Sequence, residues 1–171
     1  MNRLLISAVA IGLGLTSTVG HGRVVWPATD VPPSCPVTIP ARLGFTPPAP
    51  YPAALPFSNV GWVGTPALWT FAPADGIYRG LRVAAGYRQK LFWWHPGFDG
   101  RQEPRPDFTL TATRLDAGAP PFVVRNATNA HNDSFGGWTI LVMPDLPDPG
   151  CWRLTGTYRG ASFGYVVWFD R

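Results

Sequence analysis

Histidine is the residue type with the clearest potential for metal chemistry in this chain, and only three are present. Signal cleavage between Gly20 and His21 would leave an N-terminal histidine whose α-amine and imidazole chelate copper. A second imidazole would complete the site, with His95 as the first candidate and His131 as the second. Cleavage after Thr18 is the alternative, and it would place His21 inside a longer N-terminus.

Two other patterns could support catalysis, a serine motif and acidic residues, but neither has the sequence context that catalysis needs. Residues 160–164 match G-x-S-x-G around Ser162, but a nucleophile elbow needs a helix after the serine and a later histidine, and no histidine follows. Glu103 is the only glutamate, and the aspartates stand at turns, where carboxylates usually bond their own backbone. We therefore expect no catalytic residues and, apart from the copper alternative, no cofactor.

The eight tryptophans divide between core and surface candidates. Trp94 and Trp168 are candidates for ligand binding, through an exposed aromatic patch that would take a carbohydrate or a protein. Val166 and Trp168 lie on the same face of their strand. Either a second layer covers this face, or the face forms such a patch. Large aromatics in strand runs are expected in the core, and these are Trp69, Trp93 and Trp152.

Residues 125–137 form the most polar stretch of the chain. We expect an exposed loop there, and loops often carry function. His131 is therefore a third candidate for ligand binding.

The N-terminal part indicates export followed by an irregular segment. Residues 1–20 have a basic start and an apolar run typical of a signal peptide, too short for a span of roughly 20 residues. Residues 21–57 are rich in proline, which predicts an extended arm with residues 37–39 as a short edge strand. Residues 58–171 form the domain, and the mature protein is expected to be secreted, without a membrane span.

Cys35 and Cys151 are the only cysteines, and export takes them to an oxidising compartment. We expect them to form a disulfide that ties the arm to the C-terminal hairpin. In the chain-entropy model so long a loop contributes roughly 4 to 5 kcal/mol. A reactive thiol pair or a metal site would need closer spacing.

Lys and Arg outnumber Asp and Glu by 14 to 10, and the basic residues are scattered singly. The sequence contains no cluster comparable to a nucleic-acid footprint. Nucleic acid is therefore not an expected partner.

The last segment predicts a β-hairpin with Arg159 and Gly160 as its two-residue turn. One face is nearly all apolar, whereas the other carries Arg153, Thr155, Thr157 and Ser162. This alternation is typical of antiparallel strands with one side on a core. The predicted pairs are Tyr158 with Ala161, Gly156 with Phe163, Leu154 with Tyr165 and Trp152 with Val167.

Short β-like runs separated by Gly and Pro turns predict an all-β sandwich or barrel. They are residues 67–71, 77–83, 89–94, 108–115, 122–125 and 137–143. Helix is expected to be incidental.

A set of motifs runs through the chain: SCPV at 34–37, LW at 68–69 with ADG at 74–76, KLFWW at 90–94, TATRLD at 111–116 and PGCWRLTG at 149–156. Through them residues 34–171 resemble an uncharacterised family of bacterial secreted and lipoprotein domains. The resemblance implies an immunoglobulin-like β-sandwich and brings no activity. This chain lacks the lipoprotein cysteine, so the membrane tether of some relatives is not carried over.

Residues 21–29, HGRVVWPAT, are similar to the opening of bacterial lytic polysaccharide monooxygenases. Those enzymes hold copper in a histidine brace on an immunoglobulin-like sandwich, and the resemblance implies His21 and His95 as ligands. Asp30 departs from the arginine common there.

Together these features predict one exported immunoglobulin-like β-sandwich with a proline-rich N-terminal arm. We expect a non-catalytic domain that binds an extracytoplasmic ligand or serves a structural role. The alternative is a copper-binding histidine-brace protein, either monooxygenase-like or a copper carrier.

Overall fold

The computed structural model describes residues 31–84 and 86–170, which include one short α-helix, one 3₁₀ turn and thirteen strands. Residues 1–30, with the predicted signal peptide and His21, lie outside the described residues. No helix in the described part has the length and apolar character needed to cross a membrane. The elements are α1 (Pro40–Leu43), β1 (Val60–Gly64), β2 (Trp69–Pro73), β3 (Ile77–Arg79), β4 (Leu81–Val83), β5 (Gly86–Arg88), β6 (Leu91–Trp94), β7 (Thr109–Arg114), β8 (Phe122–Val124), β9 (Thr128–Asn132), the 3₁₀ turn (Asp133–Phe135), β10 (Gly137–Val142), β11 (Asp145–Leu146), β12 (Gly150–Tyr158) and β13 (Ala161–Asp170).

Two five-stranded sheets pack face to face, which confirms the all-β sandwich. The first sheet has the order β1-β2-β6-β10-β9 and the second β3-β13-β12-β7-β8, while β11-β5-β4 form a small third sheet. Strand β3 pairs with β13 in parallel, and the other ladders of the two large sheets are antiparallel. Both sheets contribute to the core between them, for example Trp93 and Ile140 from the first and Leu154 and Val167 from the second.

The C-terminal hairpin has the predicted register. All four predicted pairs are present between β12 and β13. Arg159 and Gly160 adopt φ values of 47° and 80°, as expected for a two-residue turn that matches the twist of the strands. The predicted apolar face therefore lies on the core.

Residues 77–83 were predicted as one strand but form two. Strand β3 belongs to the second sheet, whereas β4 belongs to the third. The chain changes sheets at Gly80, where a Cβ would lie 2.5 Å from Cε1 of Phe169. Only glycine lets the backbone pass so close to that ring.

The polar stretch 125–137 is not a loop throughout, because it contains β9 and the 3₁₀ turn. Strand β9 is the edge of the first sheet and pairs with β10 along five residue pairs. An edge strand tolerates polar side chains because its stability comes from the backbone ladder. Strands β1, β5 and β11 were not predicted either.

Residues 37–39 do not form the predicted edge strand. Thr38 instead donates its backbone N–H to the Val166 carbonyl at 2.8 Å, and its Oγ1 accepts the Val166 N–H at 2.9 Å. Pro36 and Pro40 flank this contact and have no N–H to extend a ladder.

The arm, residues 31–57 of the described chain, passes from one outer face of the sandwich to the other. Its first part packs with Val166 and Trp168 on the second sheet, and the Cys35–Cys151 disulfide holds it there. Helix α1 then lies against β1, where a Cβ on Gly61 would be 2.6 Å from Cβ of Pro40. The remainder, including Tyr51, covers the outer face of the first sheet.

We expect a Cys35→Ala/Cys151→Ala variant to lose about 4 to 5 kcal/mol of unfolding free energy. The disulfide joins residues 116 positions apart, and its removal frees the unfolded chain. Urea unfolding of the secreted protein measures the loss, and reduced wild-type protein should match the variant. A variant as stable as the oxidised protein would contradict the role of the disulfide as the anchor of the arm.

Candidate functional site

Trp94 lies in an aromatic layer on the outer face of the first sheet. The layer consists of Trp62, Trp69, Phe71, Phe92, Trp94 and Phe135. The arm covers it with Phe45, Tyr51 and Leu55, and Trp62 Nε1 donates to the Pro52 carbonyl at 3.0 Å. Trp94 has 0% of its surface exposed. The prediction of Trp94 as a surface platform is therefore wrong: its ring packs under the arm and is not open to a ligand.

Trp168 is half-buried on the outer face of the second sheet. It packs with Val37, Val166 and the disulfide of the arm. Of the two alternatives for this face, the covering layer is the one observed. Trp168 therefore presents only part of its ring to solvent.

His131 is exposed on β9, and its ring packs edge-on against Trp138 with centroids 4.8 Å apart. Its Nε2 lies 3.7 Å from Oδ1 of Asp133. The structure thus leaves His131 accessible, and its role in ligand binding stays a prediction.

His95 follows β6 and caps a tight turn. Its Nδ1 accepts the Gly97 N–H at 3.0 Å, and its ring meets Tyr158 edge-on. Partial burial and the charge of Arg159 lower the pKa of His95, although Glu103 acts in the opposite direction. His95 is therefore a mainly neutral imidazole at neutral pH, with one nitrogen already bonded.

This bonding matters for the copper alternative. A neutral His95 that accepts at Nδ1 carries its proton on Nε2, so a metal on Nε2 would force that proton to Nδ1, against the Gly97 N–H. The described residues contain no group of three or more His, Cys, Asp or Glu side chains arranged to hold a metal. Because His21 lies outside the described residues, the copper site stays a prediction.

Glu103 holds the loop after β6 to the turn of the C-terminal hairpin. Its Oε2 accepts from the Tyr158 hydroxyl at 2.5 Å and from Arg159 Nη2 at 2.7 Å, while Oε1 accepts the Asp107 N–H at 3.3 Å. Arg159 also donates to the Gly97 carbonyl at 2.6 Å. Burial would raise the pKa of Glu103, but these donors and the Arg159 charge outweigh it and keep that pKa below its usual range.

The outer face of the second sheet carries an array of hydroxyl groups where the arm does not cover it. We call this surface the hydroxyl face. Strand alternation turns these side chains outward, and each is half-buried or exposed. They are Thr109, Thr111 and Thr113 on β7, Thr155 and Thr157 on β12, and Ser162 on β13.

Strand register brings these hydroxyls together. Thr155 pairs with Thr111, and Thr157 pairs with both Thr109 and Ser162. The Thr157 and Ser162 hydroxyls lie 3.3 Å apart, which explains Ser162 as part of a strand surface rather than a nucleophile elbow. Neighbouring side chains are then about 5 Å apart across strands and about 7 Å apart along them.

A cleft of about 530 Å³ with a mixed polar and apolar lining adjoins this face. Arg105, Asp107, Arg125 and Thr128 line it, and Arg125 Nη1 donates to Thr109 Oγ1 at 3.0 Å. Arg125 therefore belongs to both the cleft and the hydroxyl face. The exposed guanidinium of Arg153 lies on the same face, in register with Thr113.

Sequence reasoning found part of this surface and missed the rest. The hairpin pattern identified Arg153, Thr155, Thr157 and Ser162 as one face. The alternation T-L-T-A-T at residues 109–113 was the signal for its extension, but the pairing of β7 with β12 is not local in sequence.

No protein-family model, curated protein or solved structure matches this chain.

We expect Glu103→Gln to lower the unfolding free energy by about 1 to 2 kcal/mol at neutral pH. The substitution replaces a charged carboxylate, which accepts three hydrogen bonds, with a neutral amide. Folding lowers the pKa of Glu103, so its stabilisation is present above the unfolded value of about 4.3 and disappears as pH falls through the folded value. Urea unfolding at neutral pH and near pH 2 measures this, with Gln102→Ala as the control. If the unfolding free energies of the wild type and the Glu103→Gln variant differed by the same amount at both pH values, this prediction would be contradicted.

We expect His95→Ala to leave the Cu(II) affinity of the exported protein unchanged. The Gly97 N–H occupies Nδ1, and the Arg159 charge near the ring opposes a second cation. The measurement is calorimetric titration of secreted protein whose N-terminus has been sequenced, with His131→Ala in parallel. A start at His21 together with weaker binding by His95→Ala would favour the histidine brace instead.

Proposed function

We propose that this chain is an exported, non-catalytic binding domain that takes a carbohydrate on its hydroxyl face. The main support for this proposal is that the hydroxyl face lies on the outer surface of the sandwich, beside the part that the arm covers. Among the described residues, the arm covers the outer face of the first sheet and one end of the second, and the hydroxyl side chains are half-buried or exposed.

The chemistry of the surface favours a carbohydrate over a protein. Each threonine or serine hydroxyl both donates and accepts hydrogen bonds, which suits a ligand made of hydroxyl groups. Protein interfaces usually have an apolar, aromatic centre. The outward positions of the hydroxyl face and its neighbours Arg153, Gly164 and Val123, which is exposed and pairs with Thr111, carry no aromatic side chain.

We infer that the sandwich is immunoglobulin-like. In that fold strands A, B, E and D form one sheet and C, F and G the other. Chain order supports equating β2-β6-β10-β9 with A-B-E-D and β13-β12-β7-β8 with G-F-C-C′, the parallel β3 being a continuation of A beside G. Strand β1 and the small third sheet are additions, and Cys151 on β12 bonds to the arm instead of to strand B.

Export is supported by the sequence of the first 20 residues and by the oxidised cysteines. A non-catalytic role is supported by the bonding of Glu103. Its lowered pKa makes it a poor proton donor near neutral pH, and its Oε2 is engaged by Tyr158 and Arg159.

We expect Thr111→Gln/Thr155→Gln to weaken polysaccharide binding about ten-fold or more, because two larger side chains at the centre of the face displace the hydroxyls. The measurement is retention on cellulose and chitin, together with affinity electrophoresis in soluble neutral and acidic polysaccharides. Thr46→Gln, exposed on the arm, is the matched control. Binding that survives in the double variant, or wild-type protein that binds none of these polysaccharides, would contradict the proposal.

A further inference from the structure

We propose that the ligand of the hydroxyl face is an anionic polysaccharide, recognised through its carboxylate groups by Arg125 and Arg153. This inference rests on the proposed function and narrows it to one class of carbohydrate. It follows from where the protein places its unpaired positive charge.

Most of the ion pairs lie away from the hydroxyl face and neutralise their arginines locally. For example, Arg88 lies 2.6 Å from a carboxylate oxygen of Asp145, and Arg114 lies 2.9 Å from one of Asp116. The ion pairs that join described arginines to described carboxylates are Arg79 with Asp75, Arg88 with Asp145, Arg114 with Asp116 and Asp148, and Arg159 with Glu103. Arg88 and Asp145 join two strands, whereas the other pairs hold turns and loops, and the charge of these arginines is already compensated.

The arginines of the hydroxyl face differ from that set. Within the described residues, neither Arg125 nor Arg153 has a carboxylate within ion-pair distance, and the same holds for Arg105 in the adjoining cleft. Asp107 is the one acidic residue lining that cleft, so Arg105, Asp107 and Arg125 together carry a net charge of +1. The face and its cleft therefore present an uncompensated positive charge.

Arg125 is oriented before any ligand binds. Its Nη1 donates to Thr109 Oγ1 at 3.0 Å, which places the guanidinium beside the hydroxyl array. A guanidinium keeps several further N–H donors in a planar fork that matches a carboxylate. The bond to Thr109 therefore leaves Arg125 able to take a carboxylate in a defined direction.

The two arginines stand at opposite corners of the array. Arg125 is beside Thr109 at one end of β7, whereas Arg153 is in register with Thr113 at the other end. Two strand spacings and four residues separate them, which corresponds to about 16 Å between their backbones. A ligand that meets both must be extended, and the threonines between them face its hydroxyl groups. These requirements describe a polysaccharide with repeated acidic sugars.

Nucleic acid is the other extended polyanion, and the surface does not favour it. Proteins that hold single strands stack bases on aromatic side chains, and none projects from these positions of β7, β12 and β13. Duplex binding needs a larger set of phosphate contacts than three separate arginines supply. Nucleic acid is therefore retained as an outcome of the test.

The experiment compares polygalacturonate with the same polymer after methyl esterification, by affinity electrophoresis of the full secreted chain. We expect binding to the free acid and much weaker binding to the ester. Arg125→Gln/Arg153→Gln should weaken binding about ten-fold, since each exposed pair contributes modestly. Raising the salt from about 0.1 M to about 0.5 M should weaken it as well.

The matched control is Arg42→Gln/Arg82→Gln. Both residues are exposed and lie off the hydroxyl face, so this variant has the same net charge as the test variant. If both variants lost the same binding affinity, the loss would reflect the net charge of the protein and not the two arginines of the hydroxyl face, and the proposal would be overturned. Equal melting temperatures of both variants and the wild type confirm that the fold is intact.

Each remaining outcome separates this inference from the proposed function. Equal binding to the acid and the ester, lost in Thr111→Gln/Thr155→Gln, overturns the anionic ligand but keeps the hydroxyl face as a carbohydrate site. If the protein binds neither polygalacturonate nor its methyl ester but is retained on a neutral polysaccharide, the anionic ligand is likewise overturned and the hydroxyl face is likewise kept as a carbohydrate site. Equal or tighter binding to duplex DNA overturns the anionic polysaccharide as the ligand.

Discussion

The path of the arm around the sandwich is the constraint on which the rest of the structure depends. Each sheet buries one face against the other, but the first sheet also carries an aromatic layer on its outer side. Within the described part of the chain the arm covers that layer, and the disulfide at Cys35 and the contact of Pro40 with Gly61 hold it in position. Large aromatic side chains left open to water would make this face an aggregation surface.

The covered outer face also explains which predictions from sequence succeeded. The hairpin from β12 to β13 could be predicted because its turn is local and its polar and apolar positions alternate. The strand Leu91–Trp94 does not alternate, and a continuous apolar run is typical of a strand buried on both faces. That signal was present in the sequence, but a surface role for Trp94 was inferred because the cover comes from residues 39 positions or more away.

Strand β9 and the extension of the hydroxyl face onto β7 were missed for a different reason. Polar residues are compatible with a loop, with an edge strand and with the open face of a sheet, and only long-range pairing distinguishes these states. Thr111 and Thr155 are 44 positions apart, yet they are direct neighbours in the sheet. Glu103 is similar, because its partners Tyr158 and Arg159 belong to the far end of the chain.

The distribution of charge follows from the same architecture. Away from the hydroxyl face, arginines are paired with carboxylates, as Arg88 is with Asp145 across strands β5 and β11 and as Arg159 is with Glu103 at the hairpin turn. The hydroxyl face is built on the long strands β12 and β13 and on β7, whose ladders need no such support. No ion pair within the described residues uses the arginines of that face, and Arg125 instead donates to Thr109. The exposed hydroxyls and the arginines of this face are therefore the features on which the proposed binding of a carbohydrate rests.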